Sequence, residues 1–156
     1  GCVPIHTIAS IVNSSPKMIS LSLSIYSVRF TGELKDEKSA IKAMRSLIKR
    51  SENVDFNLDK HKKRGLGLDN FNDLLRVFLS GCSNPPQPII NDNGYIYYSD
   101  NFDASYGWET VMVNMFEEIA PYLKNGSQLD IYPDNEHIVY GIENGQIKGG
   151  RLVLEY

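Results

Sequence analysis

The chain has 156 residues, 42% of them hydrophobic, with a formal net charge of −3 and a pI near 5.6, which suits one well-buried core and excludes a dedicated nucleic-acid coat. The charge is divided unevenly: residues 1–82 carry thirteen Lys/Arg and eight Asp/Glu, net +5, and residues 83–156 carry three and eleven, net −8. Cys2 and Cys82 show no CxxC or Cys/His spacing, no apolar run reaches the ~18 residues of a membrane helix, and the composition points to a cytoplasmic protein with no metal and no cofactor.

Residues 1–17, punctuated by Ser, Asn, Pro4 and Pro16, read as an N-terminal arm or extension, and residues 18–156 as a single α+β domain. From Met18, Ile19, Leu21, Leu23 and Ile25 alternate with serines, and the apolar set then moves to Tyr26, Val28 and Phe30. Period two predicts a strand, and the change of parity predicts a bulge or a switch of the buried face. After Gly32 the period becomes helical. Ala40, Ile41, Met44, Leu47 and Ile48 share one face and Lys38, Lys42, Arg45 and Lys49 the other, with Asp36 and Glu37 opening the helix and Lys49 and Arg50 closing it, as its dipole prefers.

Residues 51–68 hold few large apolar groups and the run Lys60, His61, Lys62, Lys63, Arg64, and read as a mobile connection. A second helix follows, capped by Asp69 or Asn70, striped by Phe71, Leu74, Leu75 and Phe78, and ended by Gly81. Pro85, Pro86 and Pro88 then make a stiff crossing segment. After a turn at 91–94, residues 95–99 read as a strand. Asp103 or Ser105 is expected to cap the strongest helix, with Trp108, Val111, Met112, Met115, Ile119 and Leu123 as its stripe. Leu129 and Ile131, then Ile138, Tyr140 and Ile142, alternate in two strands. Asn144-Gly145 marks a hairpin, and residues 147–156 return as an edge strand with an expected bulge at Gly149-Gly150. The order predicts an α+β sandwich: an antiparallel or mixed sheet with helices on one face, as a variant of the ferredoxin-like βαββαβ arrangement.

Two surfaces carry the functional expectations. Asp100, Asp103, Asp130 and Asp134 lie among Tyr95, Tyr97, Tyr98, Tyr106, Tyr122 and Tyr132, and carboxylates beside aromatics suit a protein-binding surface facing a basic partner. Asp100, Asp103, Asp130, Tyr132 and Asp134 are the candidate contacts of a non-enzymatic interaction module. The alternative is a nucleic-acid-binding regulator, in which Lys60, Lys62, Lys63 and Arg64, extended by the basic face of the first helix, grip phosphates. A solvated run explains the same residues, which lack interleaved aromatics. Catalysis ranks third: His137 has carboxylates near it in sequence, but His6 and His61 fall in poorly patterned regions, and a site needs further ligands or an oriented base. Gly65-Leu66-Gly67 lacks the strand and the longer glycine pattern of a phosphate loop. Self-association as a homodimer, if present, is expected to use the C-terminal edge strand.

Residues 101–135, through Tyr106-Gly107-Trp108-Glu109 and the stretch from Ala120 to Ser127 before Leu129-Asp130-Ile131-Tyr132, resemble small uncharacterised proteins of bacterial phages and mobile elements. The resemblance implies a bacterial cytoplasmic protein with an accessory role exercised by binding, and no catalytic residues.

Overall fold

The alternation around Tyr26 becomes strand β1, Leu23–Glu33, in a computed structural model that describes residues 23–80, 89–90, 94–105, 107–133 and 136–153. The expected arm, the proline segment, residues 91–93 of the expected turn and residues 154–156 lie outside the described residues. Within β1 the even positions Tyr26, Val28 and Phe30 are buried, whereas Ile25 is exposed. The ladder to β3 (Tyr95–Ser105) runs unbroken from Leu23↔Ser105 to Glu33↔Tyr95. The change of parity therefore puts Ile25 on the outer face, with no bulge.

Helix α1 (Glu37–Arg50) is capped by Asp36, whose carboxylate accepts from Ser39 N at 3.1 Å and from Ser39 Oγ at 2.7 Å. Those hydrogen bonds hold the Asp36 carboxyl below its ordinary pKa. Its buried stripe is Ala40, Met44 and Leu47. Residues 51–68, expected to be mobile, instead contain α2 (Leu58–Lys63) and bury Phe56, His61, Leu66 and Leu68. The apolar residues are few, but each finds a pocket. Phe56 packs edge-on against Phe78 and Trp108, with ring centroids 5.2 and 6.2 Å away, and such pairs contribute about 0.5–1.5 kcal/mol each beyond burial. Helix α3 (Phe71–Ser80) starts on Asn70, whose Oδ1 accepts from Asp73 N at 2.9 Å. The Asp73 carboxylate in turn accepts from Gly67 N at 2.7 Å and Leu68 N at 3.3 Å.

Strand β2 is the pair Ile89–Ile90. Strand β3 runs six residues beyond its expected end, so Asp103 and Ser105 sit in the ladder and do not cap helix α4 (Trp108–Ile119). Its N-cap is Gly107, at φ 98°, with no side-chain cap bond. The Tyr26 hydroxyl from β1 takes that place: it accepts from the backbone N–H groups of Gly107 and Trp108 and donates to Glu109 Oε2 at 2.7 Å, satisfying amides that a helix start leaves orphaned. The Trp108 indole N–H donates to Phe78 O at 3.0 Å and ties α4 to α3. After a 3-10 turn at Ala120–Tyr122 come β4 (Gln128–Pro133), β5 (Glu136–Glu143) and β6 (Gln146–Val153).

The hairpin turns at Asn144 and Gly145, both at positive φ (53° and 77°), the geometry that matches strand twist. The bulge expected at Gly149-Gly150 is absent, because β5 and β6 pair in continuous register from Glu136↔Val153 to Glu143↔Gln146. Gly149 is needed for a different reason: a Cβ there would lie 2.0 Å from Val139 O.

All strand pairs are antiparallel, in the order β2-β3-β1-β4-β5-β6. The segment β2-β3-β1-β4 has the strand order and directions of a ferredoxin-like βαββαβ sheet, extended past β4 by the β5–β6 hairpin, with β6 at the edge. The helices pack against one face, where Tyr26, Val28, Phe30, Ile96, Phe102 and Leu129 join their apolar stripes in a single core. Among the described residues no helix packs on the other face, referred to below as the open face.

Candidate functional site

The even positions of β1 and β3 serve the core, so the odd positions form the open face together with residues 128, 130 and 132 of β4. Register fixes the neighbours: Ile25 lies opposite Asp103, Ser27 between Asn101 and Tyr132, Arg29 between Ser99 and Asp130, and Thr31 between Tyr97 and Gln128. The large hydrophobic side chains left exposed among the described residues are Ile25 at 67%, Tyr95 at 44%, Tyr97 at 41% and Tyr132 at 45%. All four belong to this face. Scattered exposed hydrophobics need no explanation, but their gathering on one sheet face does.

One edge of the face is pre-ordered. His137 of β5 stacks on Tyr132, with ring centroids 4.2 Å apart and planes 11° from parallel, while its Nε2 lies 3.0 Å from Asp130 Oδ1. Gln128 Nε2 donates to the other carboxylate oxygen, Asp130 Oδ2, at 2.9 Å. Asp130 is buried, so these partners offset much of its desolvation. The result is a tyrosine held flat with little rotamer freedom left to lose on binding.

The sequence-derived contacts divide between the two sides of the sheet. Asp103, Asp130 and Tyr132 meet the open face. Asp100 pairs in register with Val28 and lies half-buried on the helix side, next to Tyr98, whose phenol is pushed well above its ordinary pKa by burial and then by the Asp100 charge. Asp134 lies outside the described residues. The acidic half is also less uniformly exposed than its composition suggests: Glu109 is buried under Tyr26, and Glu118 pairs with Arg50 at 2.7 Å. Ile25, Arg29 and His137 join the site without having been singled out as contacts. The signal for Ile25 was the parity of β1, whereas His137 is placed by the register of β4 with β5.

Lys60, Lys62 and Lys63 sit on α2 and Arg64 directly after it, all exposed, in the helical layer behind the sheet. A cleft of about 200 Å³ opens between α4 and the β5–β6 hairpin, lined by Glu109, Val113, Asn114, Ile138, Tyr140 and Arg151 among others. There Arg151 pairs with Glu136 at 2.8 Å and approaches Glu109 at 3.7 Å, and Tyr26 is raised far above its ordinary pKa by burial, then by its hydrogen bond and charge contact with Glu109. Among the described residues no group of His, Cys, Asp and Glu is placed to hold a metal ion, and no helix is long and apolar enough to cross a membrane. The chain matches no protein-family model, and neither the curated proteins nor the solved structures include a significant match to it.

Proposed function

We propose that this protein is a non-enzymatic interaction module whose open sheet face binds a partner protein presenting apolar side chains flanked by Lys or Arg. The observation that carries the reading is the gathering of Ile25, Tyr95, Tyr97 and Tyr132 on the one face that no helix covers among the described residues, beside Asp103 and Asp130. Tyrosines supply apolar area with a polar tip and dominate interface energetics, and the carboxylates orient a basic partner. Stacking of nucleic-acid bases on the same tyrosines is the poorer fit. A base platform works within a positive groove, and here Arg29 stands against Asp103 and Asp130, while Glu33 is matched by Lys124.

Peptides selected by display against the wild-type protein test this. Selected sequences should pair an aliphatic or aromatic anchor with Lys or Arg, and should shift the amide resonances of residues 25, 97, 103 and 132. Tyr97→Ala with Tyr132→Ala should weaken them by about tenfold or more, since anchors of this kind typically contribute upward of ~1 kcal/mol each. Binding that maps to the helical layer, or that ignores the double variant, overturns the proposal.

A further inference from the structure

We infer that the helical layer, on the side opposite the tyrosine face, carries a second docking surface for the phosphate backbone of a nucleic-acid duplex. Lys38, Lys42, Arg45 and Lys49 fall within about 60° of one another around α1 at 100° per residue, and the row is about 16 Å long. A row of that length lies along the backbone of one strand and reaches several of its phosphates. Arg45 and Lys62 line the same groove of about 380 Å³ between α1 and α2, together with Ile48, Leu58 and Gly67. Lys60, Lys63 and Arg64 continue the positive surface past it.

What distinguishes this surface is its unpaired charge. Among the described residues most other cations are matched to carboxylates, with Arg29 and Lys35 as exceptions: Lys124 to Glu33 at 2.8 Å, Arg50 to Glu118 at 2.7 Å, Lys148 to Glu143 at 3.1 Å and Arg151 to Glu136 at 2.8 Å. Among the described residues, Lys38, Lys42, Lys49, Lys60, Lys62 and Lys63 make no ion pair. Arg45 has only Asp69, at 3.7 Å with both side chains largely exposed, a pair worth little in water. Asp36, which feels the Lys38 charge, and Glu37, Glu52, Asp55 and Asp59 are the other carboxylates of this stretch, and they leave it net positive. A duplex fits better than a single strand, because no aromatic side chain is exposed along this row to stack an unpaired base. The acidic second half of the chain repels the same duplex from other approaches and so favours this one.

Fluorescence anisotropy of a labelled 20-base-pair DNA duplex, titrated with the full chain from about 20 to 200 mM salt, tests the surface. With six cations engaged, affinity should fall about a thousandfold between 50 and 200 mM, a slope near −5. Lys42→Gln with Arg45→Gln and Lys49→Gln should flatten the slope by about 2–3, as should Lys60→Gln with Lys62→Gln and Lys63→Gln, both checked for an unchanged circular dichroism spectrum. Lys148→Gln, a cation on β6, should leave it alone. The inference falls if no duplex binding occurs at 20 mM salt, if the folded triple variants keep the wild-type slope, if the unlabelled single strand competes better than the duplex, or if polyglutamate competes as well as DNA. None of these outcomes bears on peptide binding at the sheet face, which the first experiment reads separately.

Discussion

Gly149 and Gly150 are adjacent glycines in β6 with opposite demands on the backbone, and replacing each with alanine separates close approach from mere sequence. Gly149 lies at φ 142°, and a Cβ there would sit 2.0 Å from Val139 O and 3.0 Å from Tyr140 Cα, whereas a Cβ on Gly150 meets nothing within 4 Å. Both obstacles at Gly149 are backbone atoms and cannot rotate away. Reaching the 3.4 Å of ordinary contact requires the two strands to part by about 1.4 Å at Tyr140↔Gly149. The disfavoured φ costs about 1–3 kcal/mol for a side-chain-bearing residue, and each ladder hydrogen bond lost adds about 0.5–1.5 kcal/mol. Gly149→Ala should therefore destabilise by about 2–5 kcal/mol. With a urea dependence near 2 kcal/mol per molar, the unfolding midpoint drops by about 1–2.5 M. Gly150→Ala should be neutral or stabilising by up to about 1 kcal/mol, because it restricts the unfolded chain at no steric cost. Urea unfolding followed by circular dichroism, with amide exchange of residues 146–153 to register local detachment of β6, makes the comparison. Equal midpoints and equal exchange for the two variants would refute the reasoning.

Trp108→Phe should cost about 2–4 kcal/mol, since it leaves the buried Phe78 carbonyl without its indole donor and opens space between α3 and α4; a urea midpoint within experimental error of wild type would contradict the role given to that bond. Alkaline pH should destabilise the fold through Tyr26 and Tyr98. Both phenols are raised by burial above the ordinary value of 10.0, so the stability they contribute is complete below pH 10 and is lost as the pH climbs toward their folded-state values. Absorbance at 295 nm during an alkaline titration should show two phenols ionising only as the circular dichroism signal collapses, and Tyr98→Phe should remove one of them; full ionisation of every tyrosine in a still-folded chain would show the burial argument to be mistaken.

Local patterning along the chain determined most of the elements. Period two around Tyr26 and around Ile138, the 3.6 period from Ala40 to Leu47, the Trp108 stripe and the Asn144-Gly145 turn each concern neighbours a few residues apart, where steric and hydrophobic periodicity act directly, and from their order came the α+β class. Tertiary structure decided what depends on partners distant in sequence. Phe56 gave no period of its own, yet it orders residues 51–68 because Phe78 and Trp108 leave it a site. Asp103 had the chemistry of a helix cap but was held in the β1–β3 ladder opposite Ile25, and the vacant cap fell to Tyr26, eighty-one residues before Gly107. Gly149 announced a bulge in sequence and proved to be a close approach to Val139. The site followed the same rule. Residue type pointed to Asp103, Asp130 and Tyr132, but only strand register could turn Asp100 to the opposite side, bring His137 onto Tyr132 and set the lysines of α2 behind the sheet, because a one-residue change of register moves every side chain to the other face.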